Sequence, residues 1–376
     1  MIANKLYGKK ILITGHTGFK GSWLCEILLS LGADIIGVSL PLSSENILFN
    51  SLNLSNRIKH IEQDIRDFEG LLRIIDEVQP EIIFHLAAQP LVKHSYEFPI
   101  DTFETNFNGT LNLLEAIRIK SIENIKWKCS VIIVTTDKVY ENREWDYSYR
   151  ENDSLGGNDP YSASKAACEI VLASYQKSYF HRDKGSMVRV SSARAGNVIG
   201  GGDFARFRIV PDIIRSLSSG DKLLVRNSNA TRPWQHVLEP LYGYILLALK
   251  QMEGLNTDKT HNHAFIPGAF NFGPNSSSIR TVSDLIVEAQ KHISFFLQEE
   301  DILEQHEAQK LSLSYDKAYQ FINWKPIWDF SETIDKTFSW YSDILDGSCS
   351  IETTQSQILE YMKRANDENY YSGRIE

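Results

Sequence analysis

Residues 10–21 read KILITGHTGFKG and join a short apolar run to three glycines, Gly15, Gly18 and Gly21, spaced GxxGxxG. The run predicts a buried strand, and apolar residues at helical spacing from Trp23 onward predict a helix after it. Such a strand–turn–helix unit is typical of dinucleotide binding. The first glycine permits a tight turn, the second lets backbone N–H groups approach a pyrophosphate, and the third lets the helix pack closely. Packing alone is the alternative explanation, because glycine-rich turns open many α/β folds.

Short apolar runs alternate with longer helical patterns along the chain, which predicts an α/β fold with a doubly wound parallel sheet. The predicted strands are residues 11–14, 34–39, 81–86, 130–135 and 187–192. The predicted helices are residues 69–77, 103–119, 161–180, 211–217, 238–250, 282–296 and 331–345. We expect a dinucleotide-binding domain over 1–192, to which later segments return, a smaller α/β substrate-binding lobe over 193–366, and a polar, mobile tail over 367–376.

The composition is that of a soluble globular protein, with 376 residues, 42% of them hydrophobic and 23% charged. A net charge of -9 argues against non-specific nucleic-acid binding. No apolar run approaches the roughly 20 residues of a membrane span, and no signal peptide precedes the first strand, so we expect a cytoplasmic protein. The four cysteines are far apart and lack metal-ligand spacing, so we expect reduced, core or partly buried thiols and no metal site. They are Cys25, Cys129, Cys168 and Cys349.

A second motif, YSASK, places Tyr161 and Lys165 on one face of a predicted helix. We expect the Lys165 ammonium to lie near the Tyr161 hydroxyl and to lower its pKa, which favours the phenolate. Such a tyrosine can take a proton from a sugar hydroxyl while hydride leaves the same carbon, and Lys165 can reach a cofactor ribose. Because Tyr and Lys four residues apart are common, the motif gains meaning only beside the glycine turn.

The segment TTDKVY, residues 135–140, follows an apolar strand. Strand ends in parallel sheets face the ligand crevice, so Thr136, Asp137 and Lys138 present a hydroxyl, a carboxyl and an ammonium there. A loop capped by Asp137 is the alternative interpretation.

Taken together, these motifs resemble the extended short-chain dehydrogenase/reductases, the NAD-dependent epimerases and dehydratases, and within them the branch of nucleotide-sugar 4,6-dehydratases that acts on CDP-glucose. The resemblance spans about residues 9–341. Its segments are GHTGFKGSWL from Gly15, HLAAQPLVKHSY from His85, TNFNGTLNLLEAIR from Thr105, TTDKVYEN from Thr135, DPYSASK from Asp159, ARAGNVIGGGD from Ala193 and ATRPWQHVLEPL from Ala230. Branches that act on dTDP-glucose or GDP-mannose carry glutamate where this chain has Lys138.

The resemblance implies a Rossmann fold, NAD as cofactor and hydro-lyase activity that feeds deoxysugar and O-antigen synthesis. CDP-D-glucose would become CDP-4-dehydro-6-deoxy-D-glucose by internal hydride transfer from carbon 4 to carbon 6. Tyr161, helped by Lys165 and Thr136, would deprotonate the carbon 4 hydroxyl. Asp137 would be the acid for the departing hydroxyl on carbon 6, and Lys138 would act at carbon 5 as a base or as a cationic stabiliser.

Binding residues follow from the same resemblance. The implied cofactor contacts are Gly15, His16, Gly18, Phe19, Lys20, Gly21, Asp64, Ile65, Leu86, Ala87, Gln89, Tyr161 and Lys165. Asn197, Arg208 and Arg232 are implied to hold the substrate diphosphate, since arginine pairs with phosphate through a planar fork. The second predicted strand ends at Ser39 rather than at an acidic residue, so binding of NADP stays open. His306 can line the pocket, although a structural histidine is the more common case.

The implied partners are CDP-glucose and a second copy of the chain, in a homodimer or a dimer of dimers formed through the helices at 103–119 and 161–180. Neither nucleic acid nor a membrane is an expected partner. Another nucleotide-sugar dehydratase or a 4-epimerase would share Tyr161 and Lys165 but would not require Asp137 and Lys138 as a pair. A non-enzymatic NAD-sensing protein is a further alternative, against which the intact Thr136, Tyr161 and Lys165 argue.

Overall fold

The computed structural model describes residues 2–181, 185–225, 227–256, 268–299 and 310–372. The strands are β1 Lys10–Thr14, β2 Asp34–Ser39, β3 Lys59–Glu62, β4 Ile82–His85, β5 Cys129–Val134, β6 Val188–Ala195, β7 Val198–Ile199, β8 Leu223–Val225, β9 Thr231–Pro233, β10 Gln235–His236, β11 Ala269–Phe272, β12 Ile279–Thr281 and β13 Leu297–Glu299. The α-helices are α1 Ile2–Leu6, α2 Phe19–Ser30, α3 Ile47–Ser51, α4 Phe68–Val78, α5 Val92–Glu97, α6 Pro99–Phe103, α7 Gly109–Glu123, α8 Pro160–Ser178, α9 Ile209–Ser219, α10 Leu238–Asn256, α11 Val282–Ala289, α12 Asp316–Ile322, α13 Phe330–Leu345 and α14 Ser350–Ser372. A π-helical turn, Glu104–Asn108, joins α6 to α7.

The main sheet has seven strands in the order β11-β6-β5-β4-β1-β2-β3, and all neighbouring strands are parallel. This confirms the predicted doubly wound parallel sheet. The strand order reverses between β1 and β4, where Thr14 is in register with His85. In such sheets the ligand crevice lies beyond the carboxyl ends of the strands at this reversal.

The five inner strands of the sheet contribute to two apolar cores, because successive side chains point to opposite faces. Ile11 and Ile13 belong to the larger core, and Leu12 belongs to the smaller one. The larger core continues into α10 and α13 through residues such as Tyr244 and Phe338. The segments that follow the Rossmann portion are therefore packed against the sheet rather than separate from it.

Beyond β6 the chain forms three two-stranded sheets, which pair β7 with β10, β8 with β13, and β9 with β12. β6 extends to Ala195, and β11 joins the main sheet by pairing with β6.

The sequence prediction omits several short elements, among them α3, α5, α12 and β11, and three further differences have a physical reason. β3 was missed because it is a short edge strand, KHIE, with no fully buried side chain. The helix predicted over 282–296 ends at Ala289, and Phe296 beyond it is exposed rather than on a helical core face. The polar tail predicted from residue 367 is helical as far as Ser372, where α14 ends.

The cysteines are free thiols. Cys25, Cys129 and Cys168 are buried as predicted, whereas Cys349 is exposed. Within the described ranges no helix combines the length and apolar character needed to cross a lipid bilayer.

Candidate active site

The glycine turn is built as its spacing predicts. Gly15 has φ +73°, and a Cβ there would lie 2.5 Å from the backbone nitrogen of Ala87 in the loop after β4. A Cβ on Gly21 would overlap the carbonyl oxygen of Gly15, so the third glycine lets α2 pack on the turn. Gly18 is the N-cap of α2, and no side chain caps the helix. The uncapped N–H groups and the helix dipole suit a diphosphate, so this turn fits a dinucleotide.

Three of the predicted cofactor contacts, Leu86, Ala87 and Gln89, follow β4 and form one wall of the predicted crevice. Gln89 is fixed by Asn106, whose Oδ1 accepts from the Gln89 backbone N–H at 2.8 Å, and by Thr102, which accepts from the Gln89 amide at 2.9 Å. Leu86 and Ala87 lie beside the glycine turn, where the Leu86 N–H donates to the Thr14 carbonyl at 3.0 Å. These contacts place the residues after β4 against the turn after β1.

Two of the predicted cofactor contacts, Asp64 and Ile65, follow β3. The Asp64 carboxylate accepts from the Arg66 guanidinium at 2.7 Å, and this hydrogen bond is the main cause that lowers the pKa of Asp64. Ile65 is buried. β2 ends at Ser39, whose hydroxyl donates to the Leu40 carbonyl. No carboxylate therefore stands at the end of β2.

His16 is another predicted cofactor contact, and in the structure its side chain is held by protein groups. Its ring is fully buried, and its Nε2 shares a 2.8 Å hydrogen bond with His60 Nδ1. Burial, with the neighbouring His60 adding to it, lowers the pKa of His16 to about 4. The ring is thus neutral at physiological pH and occupied by protein contacts.

Lys20 points toward the predicted catalytic groups. Its ammonium lies 6.0 Å from the ring centroid of Tyr244. Burial, together with the charge of Arg208, lowers the pKa of Lys20 to about 8, although the charge of Asp137 opposes the shift. Lys20 therefore shares one electrostatic environment with the substrate and catalytic residues.

Thr136 and Asp137 form a tight turn directly after β5. The Thr136 hydroxyl donates to Asp137 Oδ1 at 3.0 Å and accepts from the Lys138 backbone N–H. Asp137 is 2% exposed, and no residue that the structure describes hydrogen-bonds to its Oδ2. Burial raises the pKa of Asp137, although Lys138, Thr136 and Arg232 each act to lower it. A buried carboxyl with a raised pKa and an open oxygen can serve as a general acid.

Tyr161 and Lys165 lie on α8, whose N-terminus is capped by Asp159 accepting from the Ser162 N–H at 2.9 Å. The Thr136 side chain acts to lower the pKa of the Tyr161 hydroxyl. Thr136 therefore lies close enough to act on Tyr161 and also donates to the Asp137 carboxyl.

The predicted lowering of the Tyr161 pKa is wrong for this structure. Burial raises it to about 12, and the Thr136 hydrogen bond and the Arg208 charge offset this only in part. The Lys165 ammonium donates instead to the Val134 carbonyl at 3.3 Å, and burial lowers the pKa of Lys165. Desolvation, which a helix-face argument does not include, decides the direction.

The charges of the two arginines predicted to bind the substrate act on the catalytic residues Tyr161 and Asp137. Arg208 donates to Asp203 at 2.8 Å, and its charge acts on Tyr161. Arg232 lies on β9, and its charge acts on Asp137. Asn197 is partly buried between β6 and β7, and Lys138 is partly exposed in the turn after β5. His306 lies outside the described residues.

Three buried polar residues near the site were missed from the sequence. Tyr244 is fully buried on α10, and no described residue hydrogen-bonds to its hydroxyl. Glu169 and Arg194 form a buried ion pair behind the turn that carries Asp137. Glu169 is four residues after Lys165, a signal that could have placed it near the site, whereas nothing local pointed to Arg194.

Comparison with known proteins agrees with this geometry. The GDP-mannose 4,6 dehydratase family matches residues 12–337. The chain belongs to this family. A CDP-glucose 4,6-dehydratase from Salmonella typhimurium is 41% identical over 362 residues, which cover 94% of this chain and 96% of that protein. Membership of the family confirms the resemblance to the extended short-chain dehydrogenase/reductases that the motifs indicate.

Solved structures share the family fold. A dTDP-glucose 4,6-dehydratase from Bacillus anthracis in complex with NAD has a TM-score of 0.72 at 20% identity, covering 92% of this chain and 100% of that chain. A UDP-glucose 4-epimerase from Thermotoga maritima has a TM-score of 0.71 at 24% identity, covering 89% of this chain and 99% of that chain. These likenesses confirm the Rossmann fold.

Proposed function

We propose that this protein catalyses the NAD-dependent dehydration of CDP-D-glucose to CDP-4-dehydro-6-deoxy-D-glucose. The observation that carries the proposal is that the Thr136 hydroxyl donates to the buried Asp137 carboxyl and that Thr136 also acts on the Tyr161 hydroxyl, at the carboxyl edge of the sheet. The 41% identity to a protein named CDP-glucose 4,6-dehydratase supports CDP-glucose as the substrate.

Tyr161 and Asp137 suit the two halves of the reaction, which are the oxidation at carbon 4 and the loss of water. Tyr161 takes the proton from the carbon 4 hydroxyl, and Thr136 orients the phenol. NAD, when bound, supplies the hydride acceptor, and its nicotinamide ring brings a positive charge that favours the Tyr161 phenolate. Asp137, whose pKa is raised by burial, donates a proton to the hydroxyl that leaves carbon 6. Lys138 acts at carbon 5, either as the base or as a cation that stabilises the enolate.

The glycine turn and the crevice wall are the proposed cofactor site. Gly15, Gly18 and Gly21 hold the diphosphate, and Ala87 and Gln89 line the ribose side. Arg208 and Arg232, with Asn197, hold the substrate diphosphate, because their charges already converge on Tyr161 and Asp137. With three buried free thiols, a reducing compartment such as the cytoplasm is the proposed location.

A homodimer formed through α7 and α8 is the proposed assembly. Three apolar side chains on or just beyond these helices are exposed: Ile122 and Ile170 at 62% each, and Tyr179 at 45%. Exposed large apolar side chains on neighbouring helices are typical of a surface that another subunit covers.

The test is a panel of nucleotide-hexoses incubated with the protein and NAD, with detection of the alkali-induced absorbance of a 4-keto-6-deoxy sugar. CDP-glucose should give this product, and Tyr161→Phe should reduce turnover about 10²- to 10⁴-fold while folding normally. Preference for another nucleotide would overturn the substrate assignment. Inversion at carbon 4 without loss of water would show a 4-epimerase instead.

A further inference from the structure

Glu169 and Arg194 form an ion pair that the proposed chemistry does not use. Glu169 lies on α8 and Arg194 on β6, and each side chain is 3% exposed. The guanidinium donates to both carboxylate oxygens, from Nε at 3.0 Å and from Nη2 at 2.8 Å. Thr135 donates to Glu169 Oε1 at 2.5 Å, and Ser192 donates to Oε2 at 2.6 Å. Two N–H and two O–H donors therefore saturate the buried carboxylate.

The remaining bonds of the pair reach the catalytic turn from its other end. Arg194 Nη1 donates to the Tyr140 hydroxyl at 2.7 Å, and Tyr140 in turn donates to Asn271 Oδ1 at 2.7 Å. Thr135 directly precedes Thr136, and Tyr140 directly follows Val139. Both ends of the turn that carries Thr136, Asp137 and Lys138 are thus tied to one ion pair.

The same carboxylate belongs to the helix that carries the other catalytic groups. Glu169 is one helical turn after Lys165, and its charge acts to raise the pKa of that ammonium. Burial alone would raise the pKa of Glu169, but the charge and hydrogen bonds of Arg194 lower it overall. The carboxylate is therefore ionised, and its bonds link α8 to the end of β5.

A buried ion pair is costly to desolvate and contributes little to stability when hydrophobic residues could replace it. A saturated polar network fixes the groups bound to it, so the pair contributes a defined geometry rather than a large gain in stability.

We propose that the Glu169–Arg194 pair is a positioning device, which fixes the turn bearing Thr136 and Asp137 against the helix bearing Tyr161 and Lys165. Thr135 connects the pair to the turn, because it hydrogen-bonds to Glu169 and directly precedes Thr136. The inference rests on the proposed function for its kinetic consequence, because displacement of groups by about 1 Å can reduce turnover on the order of 10²-fold.

Two matched variants separate positioning from stability. Thr135→Val and Ser192→Ala each remove one O–H donor to the same buried carboxylate, and neither leaves a buried charge unpaired. Only Thr135 is joined directly to the turn. Thr135→Val should lower kcat for CDP-glucose about 10- to 100-fold with KM nearly unchanged, whereas Ser192→Ala should retain kcat. Their thermal unfolding midpoints should fall by similar amounts.

A second readout requires no turnover. Amide hydrogen exchange in a peptide covering residues 136–140 should become faster in Thr135→Val and stay unchanged in Ser192→Ala. Equal exchange in the two variants would overturn the positioning role, whatever the activity of the protein. If the parent protein does not convert CDP-glucose, the proposed function fails, and faster exchange in Thr135→Val alone would still support the positioning role.

Discussion

At the scale of single residues, Asp137 has one carboxylate oxygen hydrogen-bonded to Thr136 and one to which no described residue hydrogen-bonds. Its position could be predicted, because strand ends in a parallel sheet face the crevice. Its raised pKa could not be predicted, since it comes mainly from burial by segments distant in sequence. Burial also raised the pKa of Tyr161, where the sequence predicted a lower value. The Glu169–Arg194 pair was missed because its two residues are brought together only by the fold.

Asp137→Asn should slow the loss of water more than the first hydride transfer, because asparagine keeps the shape of the side chain but cannot donate a carboxyl proton. Reduced cofactor should then accumulate on the enzyme after substrate is added, visible by stopped-flow absorbance of the reduced nicotinamide. Tyr161→Phe is the control, in which no such transient should form. If Asp137→Asn simply leaves substrate unoxidised, Asp137 does not act in the elimination step.

At the scale of elements, five of the seven strands of the main sheet could be predicted because each is a short apolar run between helical patterns. β3, β11 and α14 could not. The buried face of α14 includes polar Thr354 and Gln357 beside Ile358 and Tyr361, so its sequence reads as a polar segment. Tertiary contacts determine that face: Gln355 donates to Glu26 of α2 at 2.7 Å, and Tyr361 donates to Glu239 of α10 at 2.7 Å.

Neighbouring residues on α14 provide a direct test of this packing. Ile358 is 1% exposed and Leu359 is 67% exposed. Ile358→Ala should lower the free energy of unfolding by about 2–4 kcal/mol, because it leaves a cavity between helices. Leu359→Ala should change it by less than about 0.5 kcal/mol. Equal losses in denaturant titrations of the two variants would contradict the placement of α14.

At the scale of the whole molecule, three buried histidines make stability depend on pH. Burial lowers the pKa of His16 to about 4 and those of His85 and His236 to about 3. Below the ordinary histidine pKa of about 6.5, these rings bind protons in the unfolded chain but stay neutral in the folded chain. Stability should therefore fall as the pH falls below about 6.5, by up to about 1.4 kcal/mol per pH unit for each ring. The raised pKa values of Asp137 and Glu151 oppose part of this loss.

Urea titrations at pH 7 and pH 5 measure this dependence. The free energy of unfolding should be lower at pH 5. In His236→Gln the difference between the two pH values should shrink, because one titrating ring is gone. An unchanged difference in that variant would show that His236 is not held neutral by the fold.

If one crevice carries both redox steps, the hydride removed from carbon 4 must return to carbon 6 of the same sugar, and isotope transfer measures this. The protein is given a mixture of CDP-glucose deuterated at carbon 4 and CDP-glucose labelled elsewhere with carbon-13, and the product is analysed by mass spectrometry and NMR. Deuterium should appear at carbon 6 of the same molecules that lost it from carbon 4, with no net release of NADH. Molecules carrying both labels, or stoichiometric NADH in solution, would contradict this expectation and would indicate a dehydrogenase whose cofactor leaves between steps.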